Sequence, residues 1–189
     1  MSMAGKPGHG RRTSARPKMM ESDIKAQILN ALRRLSFVRV DRYQTGMLPN
    51  PVGQMVSFGA EGGADIIACV APIGRMVGLE CKRPGEKQTL KQLAWATDIQ
   101  TKGGFAHCVD NLDSACDHVM NAYWLNLRLA KLAGEITEDE RTAKWSSANA
   151  EMAQAKRQAA EAQVKRDKRR QHMPTQRALP PGTNRGAGI

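Results

Sequence analysis

Asp65-Ile66-Ile67-Ala68-Cys69-Val70, the turn Pro72-Ile73-Gly74-Arg75, and Met76-Val77-Gly78-Leu79-Glu80-Cys81-Lys82 together decide the fold. The two flanking runs are short, apolar and of strand length, and the residues between them break regular structure. They read as a hairpin of buried strands. Charge stands only at the outer ends of the runs, with Asp65 where the first begins and Glu80 and Lys82 where the second ends. A hairpin brings those ends side by side. Glu80 and Lys82 are two apart, so their side chains leave the strand on one face. The sequence thus predicts two carboxylates and an ammonium at one mouth of a sheet.

Toward the N-terminus, Phe37 to Tyr43 alternates as a strand. Gly46 and Pro49-Asn50-Pro51 break the chain, and Gln54 to Phe58 reads as a return strand. Gly59, Gly62 and Gly63 make a flexible approach to Asp65. Upstream, Ile24, Ile28, Leu32 and Leu35 recur at helical spacing and predict a helix over 20–35. Glu21 begins it, where an acid suits the helix dipole.

Toward the C-terminus, Pro84-Gly85 ends the second strand. Thr89 with Gln92 has the form of a capping box and opens a helix over 88–102, through Leu93, Trp95 and Ile99 to a stop at Gly103-Gly104. Phe105 to Val109 is a further strand. Ser114 is read as the cap of the next helix, which carries Cys116, Val119, Met120 and Tyr123 and continues over 124–133. After Gly134, Thr137-Glu138-Asp139-Glu140 starts another helix. From 138 to about 171 the chain is Ala, Lys, Arg, Glu and Gln with almost no large apolar residue. That composition predicts a solvated helix or a partly helical arm. The two ends are rich in Gly, Pro and Arg and predict disorder. The expected fold class is α/β, with a small central mixed sheet of four or five short strands flanked by helices and followed by a C-terminal helical extension. The expected plan is a basic arm at 1–18, a globular domain at 19–123, a helical basic extension at 124–172 and a tail at 173–189.

The chain has 189 residues and a formal net charge of +11. Residues 21–122 carry 11 Lys and Arg against 11 Asp and Glu, so the surplus lies in the two ends. Basic ends on a neutral middle suggest a polyanion partner, because cationic arms release counterions from nucleic acid; a merely solubilising tail is the alternative. Cys69 and Cys81 lie in apolar runs and read as small core residues. Cys108, Cys116, His107 and His118 fit no common zinc spacing. No disulfide framework is evident, which fits a reducing cytoplasm. No apolar stretch reaches the roughly 18 residues of a membrane span, and the N-terminus has no apolar signal region.

Two carboxylates beside an ammonium suit phosphodiester hydrolysis. A hard divalent cation takes carboxylate oxygens, acidifies a bound water and neutralises phosphate charge. A lysine can stabilise the charge that develops in the transition state. The backbone carbonyl of Cys81, between the two charged residues, is a further candidate ligand. Gly63-Ala64-Asp65 followed by Glu80-Cys81-Lys82 resembles the PD-(D/E)xK nuclease signature. The wider run, about 19–122, is similar to the VRR-NUC branch common in bacteriophages. Glu21 to Ile24 matches its Glu-x-x-Ile helix and Phe58-Gly59 its Phe-Gly. Glu80 to Gly85 matches its Glu-x-Lys-Arg-Pro-Gly run, and Gln92 with Trp95 its Gln and nearby aromatic. Ala64 departs from the usual proline, and the family name's own basic motif is not evident.

The resemblance implies a restriction-endonuclease-like core. It implies a metal-dependent DNA endonuclease, selective for branched or flapped DNA, using Mg2+ or Mn2+ and no small-molecule cofactor. A homodimer is a further family-level implication. Asp65, Glu80, Lys82 and Gln92 are then the catalytic set. Glu21, Asp65, Glu80 and Cys81 are the metal set, with Glu21 reaching the site from the first helix. Arg42, Arg83 and Lys87 are candidate nucleic-acid contacts. Each residue also has a plain structural reading: Asp65 as a strand-end turn residue, Glu80 and Lys82 as a surface ion pair, Glu21 as a dipole partner, Gln92 as a capping-box residue. The rival reading of the whole is a DNA-binding protein that does not cut, built on a nuclease-like scaffold and held by its basic arms. A third, an RNA-binding adaptor, lacks stacking aromatics outside the core.

Overall fold

The structure is a computed structural model and describes residues 19–172. The segments read as a basic arm, 1–18, and a tail, 173–189, lie outside the described residues. The chain runs α1 (Glu21–Leu32), β1 (Val38–Arg42), β2 (Gly46–Pro49), β3 (Met55–Phe58), β4 (Ile66–Val70), β5 (Arg75–Cys81), α2 (Leu90–Thr101), β6 (Phe105–Val109), α3 (Leu112–Leu132) and α4 (Glu138–His172). The fold is α/β around a mixed four-stranded sheet in the order β1-β4-β5-β6. β1, β4 and β5 are antiparallel neighbours, and β6 joins parallel to β5 after the α2 crossover.

The apolar stripe of α1 becomes the heart of the core. Ile24, Ile28 and Leu32 are fully buried with Ile66, Val70, Val77 and Leu79 from the sheet, and with Val119 and Leu127 from α3. Each such side chain contributes roughly 1.5–3 kcal/mol of burial. Asn126 ties α3 to the sheet. It donates to the carbonyls of Val70 and Ala71 at 2.8 and 3.0 Å and accepts from Arg75 Nε at 2.8 Å.

α2 lies on the opposite face of the sheet. Its capping box is present as the sequence predicts, with the Thr89 hydroxyl accepting from the Gln92 amide and Gln92 Oε1 accepting from the Thr89 amide. Gly78 lets the helix come close, since a Cβ there would meet the Trp95 ring at 2.6 Å. At Gly62 (φ +79°) a Cβ would meet the Lys91 carbonyl oxygen at 2.4 Å, so the loop before Asp65 rests directly on the first turn of α2.

Several expectations are corrected. Met55–Phe58 is a return strand as expected, but Gly46–Pro49, read as a break, is its strand partner, and the two form a hairpin apart from the central sheet. Asn50 closes that hairpin, its Oδ1 accepting from the amides of Val52 and Gln54 at 3.1 and 2.9 Å. Cys81 is buried, but Cys69 is exposed, because it lies on the sheet face away from the core. The cap of α3 is Asn111, whose side chain accepts from the Ser114 amide at 2.8 Å; Ser114 is the capped residue. His107 and His118 stack ring on ring, with centroids 3.6 Å apart.

The largest correction concerns α4, which is packed and not merely solvated. Ala148, Met152, Ala155, Ala159 and Gln163 form a buried seam against α1 and α3. The alanines bury little surface themselves but allow close approach, and the large apolar groups come from the other two helices. Glu151 accepts from the Ser36 amide and hydroxyl at 2.8 and 2.9 Å at one end of α1, and Arg170 reaches Asp23 at the other. No helix among the described residues is long and apolar enough to cross a membrane.

Candidate active site

The β4–β5 register pairs Ile66 with Leu79, which sets Asp65 against Glu80 across the mouth of the hairpin. The Cys81 amide donates to Asp65 Oδ2 at 3.0 Å and fixes that carboxylate. The other oxygen, Oδ1, is 2.7 Å from Lys25 Nζ, and Lys25 is in turn 2.6 Å from Glu21 Oε1. Lys25 therefore bridges Glu21 on α1 to Asp65 on the strand. It is raised above the ordinary lysine range; burial opposes the rise, and the hydrogen bonds to Asp65 and Glu21 outweigh it.

Glu80 is 3% exposed. Its Oε1 takes the Lys82 ammonium at 2.7 Å and the Gln92 side-chain amide at 2.5 Å. Its Oε2 is buried with no hydrogen-bond partner. Burial lifts Glu80 above the usual carboxylate range, against the pull of Lys82. A buried carboxylate oxygen without a partner is costly, because nothing replaces the water it loses. Lys82 and Gln92 hold Glu80 in one orientation, and Gln92 can do so because the capping box fixes its backbone.

The structure thus brings together Asp65, Glu80, Lys82, Gln92 and Glu21, in two linked groups. One is Glu21–Lys25–Asp65 and the other Glu80–Lys82–Gln92. The Cys81 thiol is buried and pushed up far beyond its ordinary range, chiefly by desolvation, so it stays protonated. Among the described residues no three His, Cys, Asp or Glu side chains gather into a ready metal cluster. The orphaned Glu80 Oε2 still fits a hard cation, with Asp65 and Glu80 supplying oxygens and Glu21 within one lysine's reach.

Arg42 borders the site. It lines a depression of about 320 Å³ shared with Tyr43, Phe58, Gly63 and Asp65, and a second one with Glu21 and Lys25. Arg83 pairs with Glu86 in the turn that follows β5, and Lys87 is exposed in the same connection. Lys25 was missed by the sequence reading. Its only signal was its position four residues after Glu21, which on a helix brings the two side chains together. No family model, curated protein or solved structure matches the chain.

Proposed function

We propose that the chain is a metal-dependent nuclease with a restriction-endonuclease-like core, hydrolysing DNA phosphodiester bonds with Mg2+ or Mn2+. The observation that carries this is the buried, partnerless Glu80 Oε2 beside Asp65, with Lys82 and Gln92 steadying the other oxygen. The ordered motifs of the VRR-NUC resemblance support it, and with them the preference for branched or flapped DNA. A bound divalent cation would supply an acidified water and neutralise phosphate charge. Asp65 and Glu80 would hold it, and Glu21 would join on release from Lys25. Lys82, partly exposed at the mouth, brings a positive charge to the reacting phosphate. Arg42, Arg83 and Lys87 line the approach as contacts for DNA phosphates.

One observation favours the rival reading of a binding protein that does not cut: Lys25 already occupies one oxygen of each of Glu21 and Asp65. Labelled duplex, flap and four-way-junction DNAs, incubated with and without Mg2+, separate the two readings. Cleavage is expected only with the metal, and Asp65→Asn or Glu80→Gln is expected to lower it by about 10²-fold or more while DNA binding in chelator persists. Undiminished cleavage in either variant removes the assignment.

A further inference from the structure

The basic C-terminal turns of α4 end beside the N-terminus of α1, where the site begins. Arg170 Nη1 lies 2.7 Å from Asp23 Oδ2 and Arg166 Nη1 3.6 Å from Asp23 Oδ1. Asp23 is 4% exposed and stands two residues from Glu21. A buried aspartate thus moors this end of α4 to the first turn of α1, the turn that also carries Glu21. From Lys165 to Arg170 the only acid is Asp167, and its Oδ1 accepts from Gln163 Nε2 at 2.8 Å. Arg166 and Arg170 are engaged by Asp23. Lys165, Lys168 and Arg169 are exposed, and among the described residues no carboxylate lies within ion-pair reach of them. Spaced by three and four residues, they share one face of the helix, where like charges repel. The helix dipole favours cations only in the last turn, and Lys165 stands about two turns from the end.

We infer that Lys165, Lys168 and Arg169 form a phosphate track on which the backbone of a nucleic acid seated at the Asp65–Glu80 site continues. This rests on the nuclease reading for the seat of the substrate. Arg166 and Arg170 are mooring residues and do not take part in the track. The unpaired cations match a polyanion in sign, and the Asp23 anchor fixes where they stand.

Two triple variants of the full chain with the same net charge test it. One is Lys165→Glu, Lys168→Glu, Arg169→Glu. The other is Arg34→Glu, Lys144→Glu, Arg157→Glu, at exposed positions two or more turns away from the track. Binding of a short labelled DNA duplex is followed by anisotropy in chelator across a salt series. The first variant is expected to bind about tenfold or more weaker, with a salt slope shallower by roughly 0.9 for each lost phosphate contact. The second should bind nearly as the native chain does, and both should melt as it does. Equal weakening in both variants reduces the effect to net charge and overturns the track. So does unchanged binding in the first, or failure of the native chain to bind duplex at all. Because binding is read without metal, a chain that uses the track and never cuts would sink the nuclease reading alone.

Discussion

Lys25 holds Glu21 and Asp65 within 2.7 Å of one ammonium, so the two partly buried carboxylates depend on it to offset their mutual repulsion. Lys25→Met is expected to lower the stability of the metal-free protein by about 1–2 kcal/mol, less than a fully buried pair would lose. The same change should tighten Mn2+ binding, because a divalent ion no longer competes with the ammonium for the same oxygens. Thermal melts and calorimetric titration read the two effects, and unchanged Mn2+ affinity would contradict the competition. Glu80 gives a pH dependence. Its folded-state pKa is raised by burial, so its protonated form contributes stability below the unfolded value, and that contribution fades as pH rises through the folded value. Without metal, Glu80→Gln should therefore gain on the native chain with rising pH, and a constant difference across the range would contradict the burial argument. Asp65, Glu80 and Lys82 were legible because a hairpin and a two-residue spacing suffice to place them. Glu21 and Gln92 came only with the family resemblance. Lys25 was hidden because its decisive partner, Asp65, is brought to it by tertiary packing that no local spacing reveals.

The six central elements that build the site follow from local pattern: the α1 stripe, the β4–β5 hairpin, the capping box of α2 and the strands at either side. What local pattern could not give was the partner of each element. Strand β3 is apolar enough for a sheet strand yet pairs within its own hairpin, and α4 has no large apolar stripe yet packs along α1 through Ala148, Ala155 and Ala159. A small-residue seam carries almost no hydrophobic signal, because its contribution lies in how closely it lets a neighbour approach. Enlarging it should therefore hurt. Ala159→Leu is expected to cost about 1–3 kcal/mol by overpacking against α1, measured by denaturant melts with the slope unchanged. A neutral result would mean that the seam is loose. Ending the chain before Glu138 would uncover the part of α1 and α3 that α4 packs against, so the helix belongs to the folded unit in a way its composition concealed.

At the scale of the molecule, one exposed apolar segment stands apart from charge. The segment from Gln44 to Gly59 contains no Asp, Glu, Lys, Arg or His, and within it Met47, Leu48, Val52, Met55, Val56 and Phe58 are all exposed. Such a hairpin edge invites pairing with another chain. The net charge of +11 opposes that approach through long-range repulsion. Salt should therefore act in opposite directions on two associations. DNA binding should weaken as salt rises, whereas self-association through the hairpin should strengthen once repulsion is screened over about 10 Å at 0.1 M. Sedimentation of the native chain and of Leu48→Ser, Val56→Ser across a salt series checks this, and a sedimentation coefficient independent of salt in both would contradict it. The seam between α1 and α4 has a different consequence, in the order in which the protein is made. Of the described helices α1 is synthesised first and α4 last, yet each covers the other, so the first must wait uncovered until nearly all of the sheet and α3 have been translated. During that interval Asp23 lacks Arg166 and Arg170, so the first turn of α1 is unmoored on the nascent chain until α4 has docked.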